Sequence, residues 1–440
     1  MGFAVILVSH YIPKGIAALR RSRGKAIRQA PCAKVPRDTM PTAQSARAVV
    51  ALLCLAEALS MTGFAAFPSF LPGLRQAWQM SGAEAGFVAG AFFFGYVLAV
   101  PVLTGITDRL DARGVFVLSC ALAAAGSGGF AGLAEGAVSG ALFQALAGAG
   151  LAGSYMPGLK ALTDRIRERA DERHQARYIA FYTATFGIGT SLSLLLAGWL
   201  GALLPWRTAV GLLVLGPLLA GAIAFFGLAP QPAHGARHAS WWPRFGPVLA
   251  DGRIRAYVLG YGAHCWELFG LRSWLVAFIG FAAGAAAMPV TPTAAAAFIN
   301  LLGLPASILG NEAAAFAGRR RWISVMMLSS GALCWLAGIS AACPWWLMLA
   351  ILAVYFVTVM ADSAALTAGL VAATPLAQRG AAMAVYSLAG FGAGFVSPLV
   401  FGAVLDVAGD GSLAWTLAFG SLGLGCLAWA AVVRGRERAV

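Results

Sequence analysis

Twelve stretches of about twenty apolar residues, each followed by a short polar turn, constrain this chain more than any other feature of its sequence. A run of that length rises far enough as a helix to cross a hydrocarbon core of roughly 30 Å. Inside that core the backbone must satisfy its own hydrogen bonds, so helices or closed barrels are the only spanning structures. The stretches are continuous rather than alternating, and the expected fold is therefore all-α and integral to a membrane. In the first half they run Val49 to Leu71, Ala85 to Leu103, Gly114 to Leu133, Val138 to Leu159, Tyr178 to Leu200 and Thr208 to Leu228. In the second they run Ala256 to Phe281, Thr293 to Phe316, Trp322 to Ala342, Trp345 to Val371, Gly380 to Val404 and Leu413 to Val433.

A composition that is 60% hydrophobic and 11% charged agrees with that solvent. The net charge of +14 would point to nucleic acid in a soluble protein, but its distribution here argues orientation instead. With both ends cytoplasmic, 28 of the 31 Lys and Arg residues fall in inner segments, leaving Arg75, Arg207 and the intramembrane Arg272. The expectation is a multi-pass protein of a bacterial-type inner membrane, monomeric, with the bilayer as its partner and no nucleic acid.

The Pro, Gly and His-containing segment 229–253 reads as a cytoplasmic linker, which divides the helices six and six. The expected units are a basic extension over 1–47, bundles over 48–228 and 254–433, and a tail over 434–440. The extension lacks the charge order of a secretory signal, leaving a basic membrane-surface segment or a start at Met40 as the two readings. Seven scattered cysteines show no metal or disulfide spacing, so no metal and no cofactor is expected. Between the halves, Tyr182 and Gly198 recur as Tyr386 and Gly402 at a common offset of 204 residues (386 − 182 and 402 − 198). Internal repeats of this kind let two bundles rock about a central site. Glycines at 148, 150 and 153, at 187 and 189, and at 390, 392 and 394 suit tight helix packing.

The turn after the second helix reads Gly105-Ile-Thr-Asp108-Arg109-Leu-Asp111-Ala-Arg113, and the turn after the eighth reads Gly310-Asn311-Glu312 followed by Gly318-Arg319-Arg320-Arg321. These resemble the loop motif of the major facilitator superfamily and a degenerate second copy of it. The resemblance implies two pseudo-symmetric six-helix bundles and a cytoplasmic latch made by Gly105, Asp108, Arg109, Arg113, Glu312 and Arg319. Asp111 stands where a second glycine is usual. Proton-exchanging members carry an arginine four residues before a glycine in the fourth helix, where this chain has Gln144 before Gly148. Drug antiporters carry Gly-Pro in the fifth helix, where this chain reads Gly187-Ile-Gly189. The overall pattern resembles the cyanate and nitrate permease branch, although the arginines that nitrate carriers hold in the second and eighth helices are absent.

Charges in mid-membrane are expensive and mark function by default. Here they are Glu57, His264, Glu267, Arg272 and Asp362. The superfamily's first and seventh helices line its central cavity, so the resemblance implies that Glu57, His264, Glu267 and Arg272 converge there, with the repeat-related Tyr182 and Tyr386 along the path. Within the seventh helix Glu267 and Arg272 point about 140° apart and cannot pair with each other. Arg272 is a fixed charge for an anionic substrate, while Glu267, Glu57 or His264 can load and release a proton. Alternatively, Arg272 is neutralised by Glu57 or Asp362 as an interhelical bridge. The chain is not an enzyme on this reading, because nothing in it assembles a nucleophile with a base or a phosphate-binding loop. The expectation is proton-coupled uptake of a small organic or inorganic anion; the alternative is proton-driven efflux of amphipathic or cationic compounds.

Overall fold

A computed structural model describes residues 45–107, 109–167, 170–231, 245–284, 288–375, 378–409, 411–427 and 429. All regular secondary structure among the described residues is helical, with no strand among them. The first half comprises α1 (Ala46–Ser60), α2 (Ala66–Ala77), α3 (Gly82–Ile106), α4 (Ala112–Leu133), α5 (Ala137–Ile166), α6 (Glu172–Leu203), α7 (Trp206–Leu213) and α8 (Leu215–Gly227). The second comprises α9 (Phe245–Ala250), α10 (Gly252–Ala283), α11 (Pro292–Ala317), α12 (Arg319–Ile339), α13 (Trp345–Met360), α14 (Ser363–Ala373), α15 (Arg379–Ala408) and α16 (Ser412–Leu422). Among the described residues ten spans are long and apolar enough to cross a membrane, with α7–α8 and α13–α14 each counting as one. The broken pair α1–α2 and the helix from Ser412 to Leu427 complete the twelve expected spans. The extension up to residue 44, linker residues 232–244, Asp108 and the chain from residue 430 lie outside the described residues.

Four predicted spans are interrupted among the described residues, the last by a turn at Gly423, and in one of them, α7–α8, a proline accounts for the break. Pro217 has no N–H to give the carbonyl four residues earlier, that of Leu213. Thr62 supplies the missing donor, its Oγ1 lying 2.8 Å from Leu213 O at the α7–α8 break. Thr62 itself sits in the α1–α2 break, upstream of Pro68. There Ser193 of α6 accepts from Ala65 N–H at 2.9 Å and donates to Thr62 O at 2.6 Å. The first break thus supplies a donor to the second, while α6 satisfies the backbone groups left open in the first. The third break, between α13 and α14, has no proline; the Trp322 indole donates to Ala361 O at 2.9 Å, and Asp362 stands at the break.

Small residues set the helix spacing. Gly148 and Gly150 of α5 lie against the backbones of Phe92 and Ala123, while Gly153 meets Ser119 and Leu103. These positions therefore serve packing, as the sequence suggests, whereas Gly187 and Gly392 face open space. Gly318, with φ +87°, supplies the left-handed backbone that turns α11 directly into α12.

The halves join along α3 and α15. Gly82 meets Gly402, Gly86 meets Pro398, Gly90 meets Phe395, and the Tyr96 ring stacks on Phe391 at 3.8 Å. At the end of this seam the Asp406 carboxylate accepts from Gly82 N–H at 2.5 Å and Ala83 N–H at 2.8 Å, and pairs with Arg75 at 3.6 Å. On the other flank Gly198 of α6 packs on Thr293 of α11. The two halves are closed on each other at the Asp406 end.

Candidate functional site

Between the halves lies a narrow cavity whose walls include Phe64, Phe92, Phe93, Gln144, Arg272 and Asn300. Both halves contribute. The break between α1 and α2 turns Phe64 inward, α3 gives Phe92 and Phe93, α5 gives Gln144, and α10 and α11 give Arg272 and Asn300. Arg272 is the one charged residue among those lining it.

Arg272 is held rather than neutralised. Its Nε donates to Asn300 Oδ1 at 2.9 Å, and Asn300 Nδ2 is anchored in turn on Ala296 O at 2.9 Å. The guanidinium carbon stands 5.6 Å from the ring centre of Phe356 and 6.0 Å from that of Phe186. Among the described residues no carboxylate forms an ion pair with it. The interhelical bridge to Glu57 or Asp362 therefore does not form, and Arg272 lines the cavity without a carboxylate partner.

The expected convergence of the four ionisable residues is not what the structure shows. Glu57 is wholly buried inside the first half, where the Tyr182 hydroxyl lies 3.2 Å and Ser60 Oγ 3.5 Å from its Oε2. Tyr182 also reaches the carbonyls of Ser154 and Tyr155, at 3.1 and 3.2 Å. Glu267 is buried inside the second half, accepting from Ser330 Oγ at 2.7 Å and Tyr355 hydroxyl at 2.9 Å, with Cys426 Sγ at 3.6 Å. The reason is helical geometry: the 140° between Glu267 and Arg272 that forbids their pairing also sends them to different surroundings.

His264 lies one turn before Glu267 and on nearly the same face of α10. Its Nδ1 comes within 2.8 Å of Asp362 Oδ1, and both side chains are buried. The approach is off the line of a hydrogen bond, so these two atoms are close without being bonded. Tyr261 stacks on His264 and, at 3.7 Å, on Tyr386, whose hydroxyl lies 3.0 Å from Thr367 Oγ1. Tyr182 and Tyr386, related by the 204-residue offset, thus occupy matching positions. Each contacts the first membrane-spanning helix of its own half, α1 or α10, and the same offset takes Glu57 to Tyr261.

At the end opposite Asp406, the motif after α3 forms a network within the first half. Asp111 caps α4, accepts from Gln231 N–H at 2.9 Å and pairs with the buried Arg165 at 3.3 Å; Arg165 also donates to Ala229 O at 2.8 Å. Arg113 donates to Phe225 O and lies over the Phe225 ring. Gly105 faces open space, and Asp108 lies outside the described residues. In the second half the Arg319 stem lies against Gly369 of α14, and Glu312 forms no ion pair among the described residues. Arg109 lies in the same turn as Asp111.

Sequence reasoning did not select Asn300, Gln144, Arg165 or Asp111 as site residues. The first two carried a usable signal, being amides in the middle of apolar spans, where an unpaired polar group is costly.

Two six-helix halves carrying an internal repeat, closed together at one end around a charged cavity, define a membrane transport protein. The chain belongs to the Major Facilitator Superfamily, whose family model matches residues 53–314. No curated protein sequence matches it. Among solved structures it is similar to a bacterial homolog of the human lysosomal transporter Spinster in an inward-facing, unoccupied conformation. That match has a TM-score of 0.68 and 15% identity, and covers 88% of this chain and 95% of the other. It is similar also to the nucleoside transporter NupG, with a TM-score of 0.69 and 14% identity over 88% of this chain and 99% of the other. At such identities the likeness is one of fold.

Proposed function

We propose that this superfamily transporter carries out proton-coupled uptake of a small anion by alternating access, with Arg272 as the substrate's counter-charge. The observation that carries this reading is a guanidinium at mid-membrane with a cavity before it and no carboxylate beside it. Placing an arginine at that depth costs about 2.5–3.5 kcal/mol on insertion scales, a cost an anionic ligand offsets directly. Export of amphipathic cations would need a carboxylate on the cavity wall, yet Glu57 and Glu267 both lie among hydroxyls within their own halves.

The protons are assigned to α10. Glu267 and His264 sit one to two turns from Arg272 on that helix, with Asp362 of the α13–α14 break beside His264, all buried and surrounded by groups able to pass or hold a proton. The charge distribution supports cytoplasmic termini, and with that orientation the Asp406 end is the outer one and this conformation is closed to the outside. On that assignment the Asp111–Arg165 network braces the cytoplasmic face of the first half.

The test is uptake into proteoliposomes under an imposed inward proton gradient, with candidate anions, for wild type, Arg272→Ala and Arg272→Lys. Anion uptake that collapses in Arg272→Ala and follows the gradient in wild type is the expected result. Uptake that persists in Arg272→Ala would remove Arg272 from the substrate site.

A further inference from the structure

Arg272 and its surroundings define more than the sign of the substrate. Its Nε is occupied by Asn300, and rings from opposite halves flank the guanidinium, Phe356 at 5.6 Å and Phe186 at 6.0 Å. With Nε so engaged, the terminal Nη groups of this cavity-lining guanidinium are the donors left for a ligand, and their two parallel N–H groups match the two oxygens of one carboxylate. The first-half wall carries four phenylalanine rings, beside the polar side chains of Gln144 and Thr190. Phe64 lies at the centre of an edge-to-face cluster with Phe92 (5.2 Å, 85°), Phe93 (6.4 Å, 76°) and Phe186 (5.8 Å, 68°). An inorganic oxyanion or a short aliphatic acid would leave these rings facing water. A second carboxylate would meet no cation on the lining.

We infer that the substrate is an aromatic monocarboxylate, its carboxylate on the Nη edge of Arg272 and its ring among Phe64, Phe92 and Phe93. This rests on the anion-carrier reading and narrows it. Ring faces and edges in the cluster offer a ligand ring the offset and T-shaped contacts that aromatic pairs prefer. Because Phe64 sits in the α1–α2 break and Phe186 on α6, opposite the half that carries Arg272, a ring-bearing substrate touches both halves at once. Such a ligand differs in its contacts between the closed and separated arrangements, as any ligand that shifts their balance must.

The experiment is equilibrium binding to the purified full-length protein in nanodiscs, with benzoate, cyclohexanecarboxylate, acetate and nitrate as probes. Wild type, Phe64→Leu, Phe186→Leu and Arg272→Ala are compared, after thermal unfolding has shown which variants remain folded. Benzoate should bind roughly tenfold or more tightly than acetate or nitrate, with cyclohexanecarboxylate between them. Either leucine variant should weaken benzoate several-fold while leaving acetate unchanged, and Arg272→Ala should abolish all binding. Should acetate or nitrate bind wild type as tightly as benzoate and vanish in Arg272→Ala, the aromatic assignment is overturned while the anion carrier stands. If no probe anion binds wild type, or benzoate binds Arg272→Ala undiminished, both readings fall together.

Discussion

The contact that closes the Asp406 end can be weighed from its parts. Helix α3 begins with a capping box: Ser81 Oγ accepts from Glu84 N–H at 3.1 Å, and Glu84 Oε2 accepts from Ser81 N–H at 2.8 Å. That leaves Gly82 and Ala83 N–H as orphaned donors of the first turn, and Asp406 of the opposite half takes both. The carboxylate therefore acts as a second cap supplied in trans, placed at the positive end of a helix dipole. Removing a cap costs about 0.5–2 kcal/mol, and the charge–dipole part adds a few tenths. Asp406→Ala should thus weaken closure by about 1–2 kcal/mol, a factor of roughly 5–30 in the ratio of closed to separated halves. The Arg75 pair at 3.6 Å is near the surface, so Arg75→Ala should cost well under about 1 kcal/mol. Spin labels at Glu135 and Ala342, one on each half at this end, with the native cysteines replaced, would report the separation by pulsed electron resonance. A separated state of about one part in a hundred in wild type would rise to about one part in ten in Asp406→Ala. A distance distribution identical to wild type, or an equal shift in Arg75→Ala, would refute the trans-capping argument.

Two further outcomes test other parts of the structure. Glu267→Gln keeps the side chain's shape and its contacts with Ser330 and Tyr355 while removing the charge; it should leave substrate binding and substrate exchange intact and abolish accumulation driven by a proton gradient, measured in proteoliposomes. Gly95→Val should destabilise the protein by about 1–3 kcal/mol or more, read as a lowered unfolding temperature, because its new side chain would meet the Ala145 backbone of α5.

The spans were legible because hydrophobic length is a one-dimensional property: every predicted helix overlaps an observed one, and the six-and-six division follows from a loop composition. The breaks were not legible in the same way. Pro217 marks where a backbone bond must be lost, but only the fold reveals that Thr62 replaces it from a neighbouring helix and that Ser193 serves the open backbone groups of the α1–α2 break. Arg272 was selected by rarity, a charge in an apolar run, and its unneutralised state depended on which helices face it. Glu57 and Glu267 were selected on the same ground, and their partners turned out to be hydroxyls of Tyr182, Ser330 and Tyr355. A hydroxyl in an apolar span is too common to stand out, so rarity finds the charge and misses the group that satisfies it. Asp108 and Asp111 show the converse. The resemblance singled out the first, whereas the second joins the network with Arg165 because its position one residue before α4 makes it that helix's cap.

The placement of these groups on one helix bears on how coupling would work. Arg272 meets the cavity, while Glu267 and His264, one to two turns earlier, face the interior of the second half: Asp362 at the α13–α14 break, Ser330 of α12 and Tyr355 of α13. A change of protonation there alters contacts between α10 and the very helices it packs on, without touching the substrate. An anion at Arg272, by contrast, bears on α10 from the cavity side and on Phe186 of the opposite half. Both ligands would therefore act on the position of α10, from opposite faces. Coupling requires only that this one helix have two arrangements which proton and anion favour together, since each ligand shifts the balance by its own difference in affinity. Reciprocity follows: if protonation tightens anion binding by a given factor, the anion must tighten proton binding by the same factor. In Glu267→Gln the dependence of anion affinity on pH should accordingly flatten, even though no atom of Glu267 lies on the cavity wall.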